Sequence, residues 1–250
     1  MDAVRRKIVA IIPSRYASSR LPGKGLADIN GKPMLWWVYQ QCLKCDCLAD
    51  VVAAIDDERT EAACIEHGIK YLMTSKDCHG YIQRIWEASE AIDADFYVAV
   101  CGDEPMIEPA AIATVCRATE TDHNGFGFMK GFTDLTNPIN AYDFASIKLV
   151  TDLNGDVLIL TRSPIPYPKG SRDFVLKKSV GVNAFTKRSL DFLHDHPTAG
   201  PLERIEEIDE LRFIEYGHRV KSVKVESCSI SVDTPKDLAY VRKILSHDEK

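Results

Sequence analysis

No stretch of this 250-residue sequence approaches the ~20 consecutive apolar residues of a membrane span. Positive charge is not in surplus either. Lys and Arg number 31 against 37 Asp and Glu, a net charge of −6. That excludes a general nucleic-acid or membrane-surface binder, because both need a basic face. The opening MDAVRRKIVAIIPSR has an apolar centre of only about six residues and no small-residue cleavage site, so it is expected to be a strand of a cytoplasmic protein, not a signal peptide. Repeats, low-complexity tracts and flexible linkers are missing, which favours one domain over residues 1–250. Two nucleotide motifs are missing as well. There is no G-x-x-x-x-G-K-[ST] and no G-x-G-x-x-G, so neither a P-loop nor a dinucleotide fingerprint is available. Of eight cysteines, Cys42, Cys45 and Cys47 form C-x-x-C-x-C. Cys64, Cys78, Cys101, Cys116 and Cys228 are scattered and offer no second pair to complete a four-ligand metal set. The expectation is reduced thiols packed along a helix.

What is present is a rhythm. Hydrophobic residues make up 45% of the chain, enough for a sizeable core. A β-branched strand at 7–12 leads through a charged loop to the turn signal Asn30-Gly31, and Pro33 opens a helix whose inner stripe is expected to be Leu35, Val38, Cys42 and Leu43. Strands at 49–56, "KYLM" and 96–105 alternate with helices at 57–67 (closed by Gly68), 81–92 and 109–120. After about residue 125 the pattern changes. The stretches "HNGFGF" and "LTNPINAYD" precede an apparent hairpin turning at Asn154-Gly155, and "VGVNAFT" reads as a further strand. A helix near 203–215, the strand "RVKSVKVE" and a helix capped by Thr234 close the chain. The expected architecture is a doubly wound, mostly parallel α/β sheet with a β-rich lobe inserted at about 125–200.

In such a sheet, ligands bind beyond the carboxyl ends of the strands. That rule gathers the loop after the first strand, Asp56-Asp57, "CGDEP" and "SVDTP" into one crevice. The loop, "SRYASSRLPGKG", carries Arg15, Arg20 and Lys24 among small residues (Ala17, Ser18, Ser19) and glycine, a composition that cradles phosphate through backbone N–H groups and cations. Asp103 and Asp233, each expected to follow a strand, can together hold a hard cation such as Mg²⁺ beside phosphate oxygens, although taken singly Gly-Asp is often a turn and Asp before Thr-Pro a helix start. Loop and pair together point to metal-assisted nucleotidyl or phosphoryl transfer.

Five blocks then carry a resemblance over almost the whole chain. "IIPSRYASSRLPGKGLADINGKPML", "GDEPMI", "TRSPIP", "PLERIEEIDELRFIEYGHRV" and "VDTPKDL" are similar, in order, to those of the 3-deoxy-manno-octulosonate (Kdo) cytidylyltransferases. The resemblance implies a nucleotide-diphospho-sugar transferase-like fold with a dimerising lobe. It implies CMP transfer from CTP to the anomeric hydroxyl of Kdo or a related 3-deoxy-ulosonic sugar acid, with Mg²⁺ and release of pyrophosphate. Such activated sugar acids serve lipopolysaccharide or capsule synthesis. Carried over by position, Arg15, Ser18, Arg20 and Lys24 grip the CTP phosphates. Asp103 and Asp233 hold the metal and, with Lys24, are the catalytic set, while Arg162 and Ser163 face the sugar acid. The sequence departs from the family at Cys101 (usually Gln), at "HGYIQR" (79–84), at Ser179 (usually His) and at Glu210 (usually Gln). Cys101 belongs to the nucleotide-facing block, and Ser179 and Glu210 to the acceptor-facing ones. A glutamate there suggests an amino-bearing acceptor, or an arginine such as Arg212, opposite it. Two other readings remain open: a nucleotidyltransferase for a sugar phosphate or phosphonate, and a nucleotide-binding relative without turnover.

Overall fold

Strand β1 (Ile8–Ser14) is apolar on both sides because both sides are covered. Ile8, Ala10 and Ile12 point into one core and Val9 and Ile11 into another. This computed structural model describes residues 6–246 apart from 19, 79, 122–126 and 172. Ser19, His79 and most of "HNGFGF" therefore lie outside the described residues.

After β1, the short pairing of β2 (Asp28–Ile29) with β3 (Lys32–Pro33) turns at Asn30-Gly31 and delivers the chain to α1 (Met34–Leu43). Alternation continues with β4 (Asp50–Ile55), α2 (Glu58–His67), β5 (Tyr71–Met73), α3 (Tyr81–Ala91), β6 (Phe96–Val100) and α4 (Pro109–Ala118). There follow β7 (Phe128–Leu135), β8 (Lys148–Thr151), β9 (Val157–Thr161), β10 (Leu176–Phe185), α5 (Lys187–Asp195), α6 (Pro201–Glu206), α7 (Leu211–Glu215), β11 (Lys221–Lys224) and α8 (Pro235–Leu245). The sheet order is β11-β7-β10-β6-β1-β4-β5, with the β8–β9 hairpin attached through β10. β1, β4, β5 and β6 are mutually parallel, and β11 is parallel to β7, whereas β10 runs antiparallel between β6 and β7. This is the mostly parallel α/β sheet expected. α1 and α4 cover one face, and α3 and α5 cover the other. Among the described residues no helix is long and apolar enough to cross a membrane.

Three local expectations are corrected. Leu43 is 52% exposed, and the inner stripe of α1 is instead Met34, Leu35, Val38, Tyr39 and Cys42. The helix expected at 203–215 is broken into α6 and α7 at Glu207, which takes a left-handed backbone (φ 53°). Of the region 125–200, β7 and β10 run inside the main sheet, and the added part is the β8–β9 hairpin with its flanking loops.

Candidate active site

The loop leaving β1 cannot continue the sheet. Gly23 has φ 65°, a backbone open to glycine, and its N–H returns to the Tyr16 carbonyl at 3.1 Å, closing the loop on itself. The next turn presents Lys24 inward. A second loop leaves β6 at Cys101, and a Cβ on Gly102 would stand 2.9 Å from the Pro13 carbonyl, so only glycine lets this loop lie against the end of β1. A third segment comes from α8. Val232 N–H donates to the Asp103 carbonyl at 2.8 Å, which stitches residues 225–234 across the crevice. Asp233 is thus placed by that stitch and by the capping box of α8, well beyond the end of β11 at Lys224, and not by a strand end as expected.

The three segments converge on charge. Lys24 Nζ donates to Asp103 Oδ2 at 2.7 Å and to Asp233 Oδ1 at 2.9 Å, and Arg20 Nη2 reaches the same Asp233 oxygen at 2.9 Å. Burial works to lower the pKa of the Lys24 ammonium, but the two carboxylates outweigh it and hold it above the ordinary lysine value. Ser18 lies half-buried on the same loop and Arg15 is exposed. Behind the loop, Tyr16 N–H donates to Asp56 Oδ1 (2.8 Å), and Asp56 is locked by a buried ion pair with Arg84 (2.9 Å). Asp57 caps α2 and pairs with Arg59, whose guanidinium stacks 3.5 Å above the Tyr16 ring. Asp56 and Asp57 therefore brace the loop that leaves β1.

Cys101 lines the other side of the crevice. Its N–H donates to Gly181 O at 2.8 Å, and burial pushes its thiol well above the usual cysteine range, so it stands as a neutral group. The neighbouring Glu104 accepts from Gly181 N–H at 2.8 Å, which fixes Ser179–Gly181 beside the "CGDEP" loop. Burial, then Asp103, raises the Glu104 carboxyl to about 7.

Beneath the crevice lies a polar network that the sequence did not announce. Lys130 Nζ (2.7 Å) and the Tyr81 hydroxyl (2.9 Å) both donate to Glu210 Oε1, and Asn183 Nδ2 donates to the Tyr81 oxygen at 3.0 Å. Burial disfavours the charged Glu210, but Lys130 overcomes it and leaves the carboxyl below its ordinary value. The cation opposite Glu210 is thus Lys130. Arg212, named for that place from the sequence, is instead forked onto Glu203. The signal for Lys130 was present in "FMKGF". Phe128, Lys130 and Phe132 share one face of β7, so the lysine stands at a core position and needs a buried partner. Arg162 also sits differently from expectation. Its guanidinium donates to the carbonyls of Phe144, Glu206 and Glu207, so it holds α6 to the preceding loop, with Ser163 exposed beside it.

The arrangement can bind a triphosphate on Lys24 and Arg20 and hold a hard cation between Asp103 and Asp233. The cytidylyltransferase family model matches residues 9–224. At 35% identity over 244 residues, 96% of this chain and 99% of the relative, the sequence is similar to an 8-amino-3,8-dideoxy-manno-octulosonate cytidylyltransferase of Shewanella baltica (strain OS195). At 39% identity over 251 residues, 94% of this chain and 97% of the relative, it is similar to a 3-deoxy-manno-octulosonate cytidylyltransferase of Geotalea uraniireducens (strain Rf4). The structure resembles that of a CMP:2-keto-3-deoxy-manno-octonic acid synthetase complexed with CTP, with a TM-score of 0.90 at 33% identity, covering 97% of this chain and 99% of that one.

Proposed function

The chain belongs to the cytidylyltransferase family, and from that premise we propose that it transfers CMP from CTP to the anomeric hydroxyl of a 3-deoxy-octulosonic acid, releasing pyrophosphate. The observation that carries this reading is the meeting of Lys24, Asp103 and Asp233 from three separate segments. A hydroxyl oxygen bonds to the α-phosphorus while the bond to the β-phosphate breaks, and negative charge grows on the departing pyrophosphate. In this reading Lys24 and Arg20 take that charge, and a pre-organised cation is most effective where water is scarce.

Asp103 Oδ2 and Asp233 Oδ1 already converge on one cationic nitrogen, so the same two hard oxygens would hold Mg²⁺. When bound there, Mg²⁺ supplies charge neutralisation at the α-phosphate. Arg15 and Ser18 complete the phosphate grip, and Cys101 faces the base. Ser179 lines the acceptor side. Glu210 contributes by fixing Tyr81 and Lys130 rather than by offering a free carboxylate to a substrate amine. An amino acceptor therefore draws no support from Glu210, and octulosonic acids with 8-hydroxyl or 8-amino groups both fall within the reading. We further propose a homodimer formed through the β8–β9 region.

The test is pyrophosphate release from CTP with Mg²⁺ over a panel of Kdo, 8-amino-Kdo, a hexose 1-phosphate and a phosphonate. Release with either octulosonic acid, and little with the phosphorylated acceptors, is expected. Release confined to a phosphorylated acceptor would replace the reading with the other nucleotidyltransferase one.

A further inference from the structure

The cysteine pattern C-x-x-C-x-C lacks a matching pair in the sequence, and the fold supplies part of what is missing. Cys116, seventy residues or so away, comes from α4 to join Cys45 and Cys47 at the end of α1. The three Sγ atoms lie within 4.8 Å of one another, and among the described residues no other group of three or more histidine, cysteine or carboxylate ligands comes so close together. Cys45 and Cys47 are 3.1 Å apart sulfur to sulfur. Cys45 and Cys116 are buried, and Cys47 is half-buried, which leaves a way in from solvent. A thiophilic ion with metal–sulfur bonds of about 2.3 Å sets tetrahedral thiolates about 3.8 Å apart, so small side-chain adjustments suffice.

We propose that Cys45, Cys47 and Cys116 form a three-thiolate site for a soft divalent metal ion of the zinc class, with the fourth position open to water. Three sulfurs in mutual reach suit an ion better than a disulfide, which would use two and strand the third. Thiols bind such an ion as thiolates, so binding releases protons. Cys45 Sγ also lies 3.8 Å from the carbonyl of Pro109 in the first turn of α4, so the trio sits between the turn after α1 and helix α4. The ion is therefore a staple between the turn after α1 and α4, and shares no residue with the Lys24, Asp103 and Asp233 cluster.

The test uses full-length protein, reduced and stripped of metal, titrated with Zn²⁺ without oxygen, and with Co²⁺ as the spectroscopic probe. One ion per chain, proton release on binding, a sulfur-to-cobalt charge-transfer band and a melting temperature raised by several degrees at hundredfold excess over Kd are expected. Cys47→Ser should weaken binding at least tenfold and abolish most of the band, and Cys116→Ala should do the same if it folds. Cys228→Ser, exposed and distant in sequence from the trio, should leave binding unchanged. Absence of stoichiometric uptake, a band that survives Cys47→Ser, or loss of binding in Cys228→Ser would overturn the proposal. So would a mass lower by two hydrogens, the mark of a disulfide, in protein that takes up no ion.

Discussion

Lys24 sits between two carboxylates that both restrain it and keep it charged. Replacing Asp103 with Asn keeps the shape and removes a hard ligand, so turnover should fall by about 10²–10³ while the melting temperature hardly moves. Steady-state kinetics beside a thermal melt check this, and near-normal turnover would remove Asp103 from the site. Glu210 calls for the opposite outcome. Its partner Lys130 is equally buried, so Glu210→Gln strands a charge in the core and should cost about 3 kcal/mol in urea unfolding. Lys130→Met added to it should recover much of that loss, since no unpaired charge remains. The residues named from motif and charge, Arg20, Lys24, Asp103 and Asp233, are those the fold brings together. What escaped were partners fixed by tertiary packing. No local pattern says that Lys130 meets Glu210 across 80 residues, or that Arg162 turns to backbone carbonyls.

At the scale of elements, the start of α8 is where fold and site share residues. Asp237 Oδ2 accepts from the N–H groups of Asp233 (3.2 Å) and Thr234 (2.8 Å), so the capping box also fixes the backbone that carries Asp233. Asp237→Ala should therefore cost about 1 kcal/mol of stability and, in addition, lower kcat several-fold. A stability loss with unchanged kcat would separate the cap from the site. This helix start was legible because Thr-Pro-Lys-Asp is a local signal. The strand–helix alternation through α4 was legible for the same reason. The antiparallel course of β10 was not, because "VGVNAFT" reads alike in either direction and its neighbours β6 and β7 decide it. The break at Glu207 was hidden too, since no glycine or proline marks the left-handed turn between α6 and α7.

For the whole molecule, two properties follow. Residues 137–175 expose Ile139, Tyr142, Phe144, Leu153, Leu158, Tyr167 and Val175, an apolar concentration that a lone subunit would leave wet. Light scattering at micromolar concentration should give twice the 28.0 kDa chain mass, and a monomer would refute the dimer. Stability should also depend on pH in a particular sense. Burial raises the carboxyls of Glu104 and Asp209 to about 7, above the roughly 4 of an unfolded carboxylate. Between those values the folded chain holds protons that the unfolded chain has lost, so their contribution to stability falls as pH rises from about 4 to about 7 and is level above. Asp209→Asn should thus gain in melting temperature relative to the parent as pH goes from 5.5 to 8. An unchanged difference would show that Asp209 titrates normally. The activity itself is decided by the bond the enzyme makes. Phosphorus NMR of CTP, Mg²⁺ and Kdo or 8-amino-Kdo incubated with the protein should show the three CTP signals replaced by pyrophosphate and one phosphodiester, only when the sugar acid is present. CTP left intact, or hydrolysed to CMP regardless of the sugar acid, would show that the protein does not transfer CMP to an octulosonic acid.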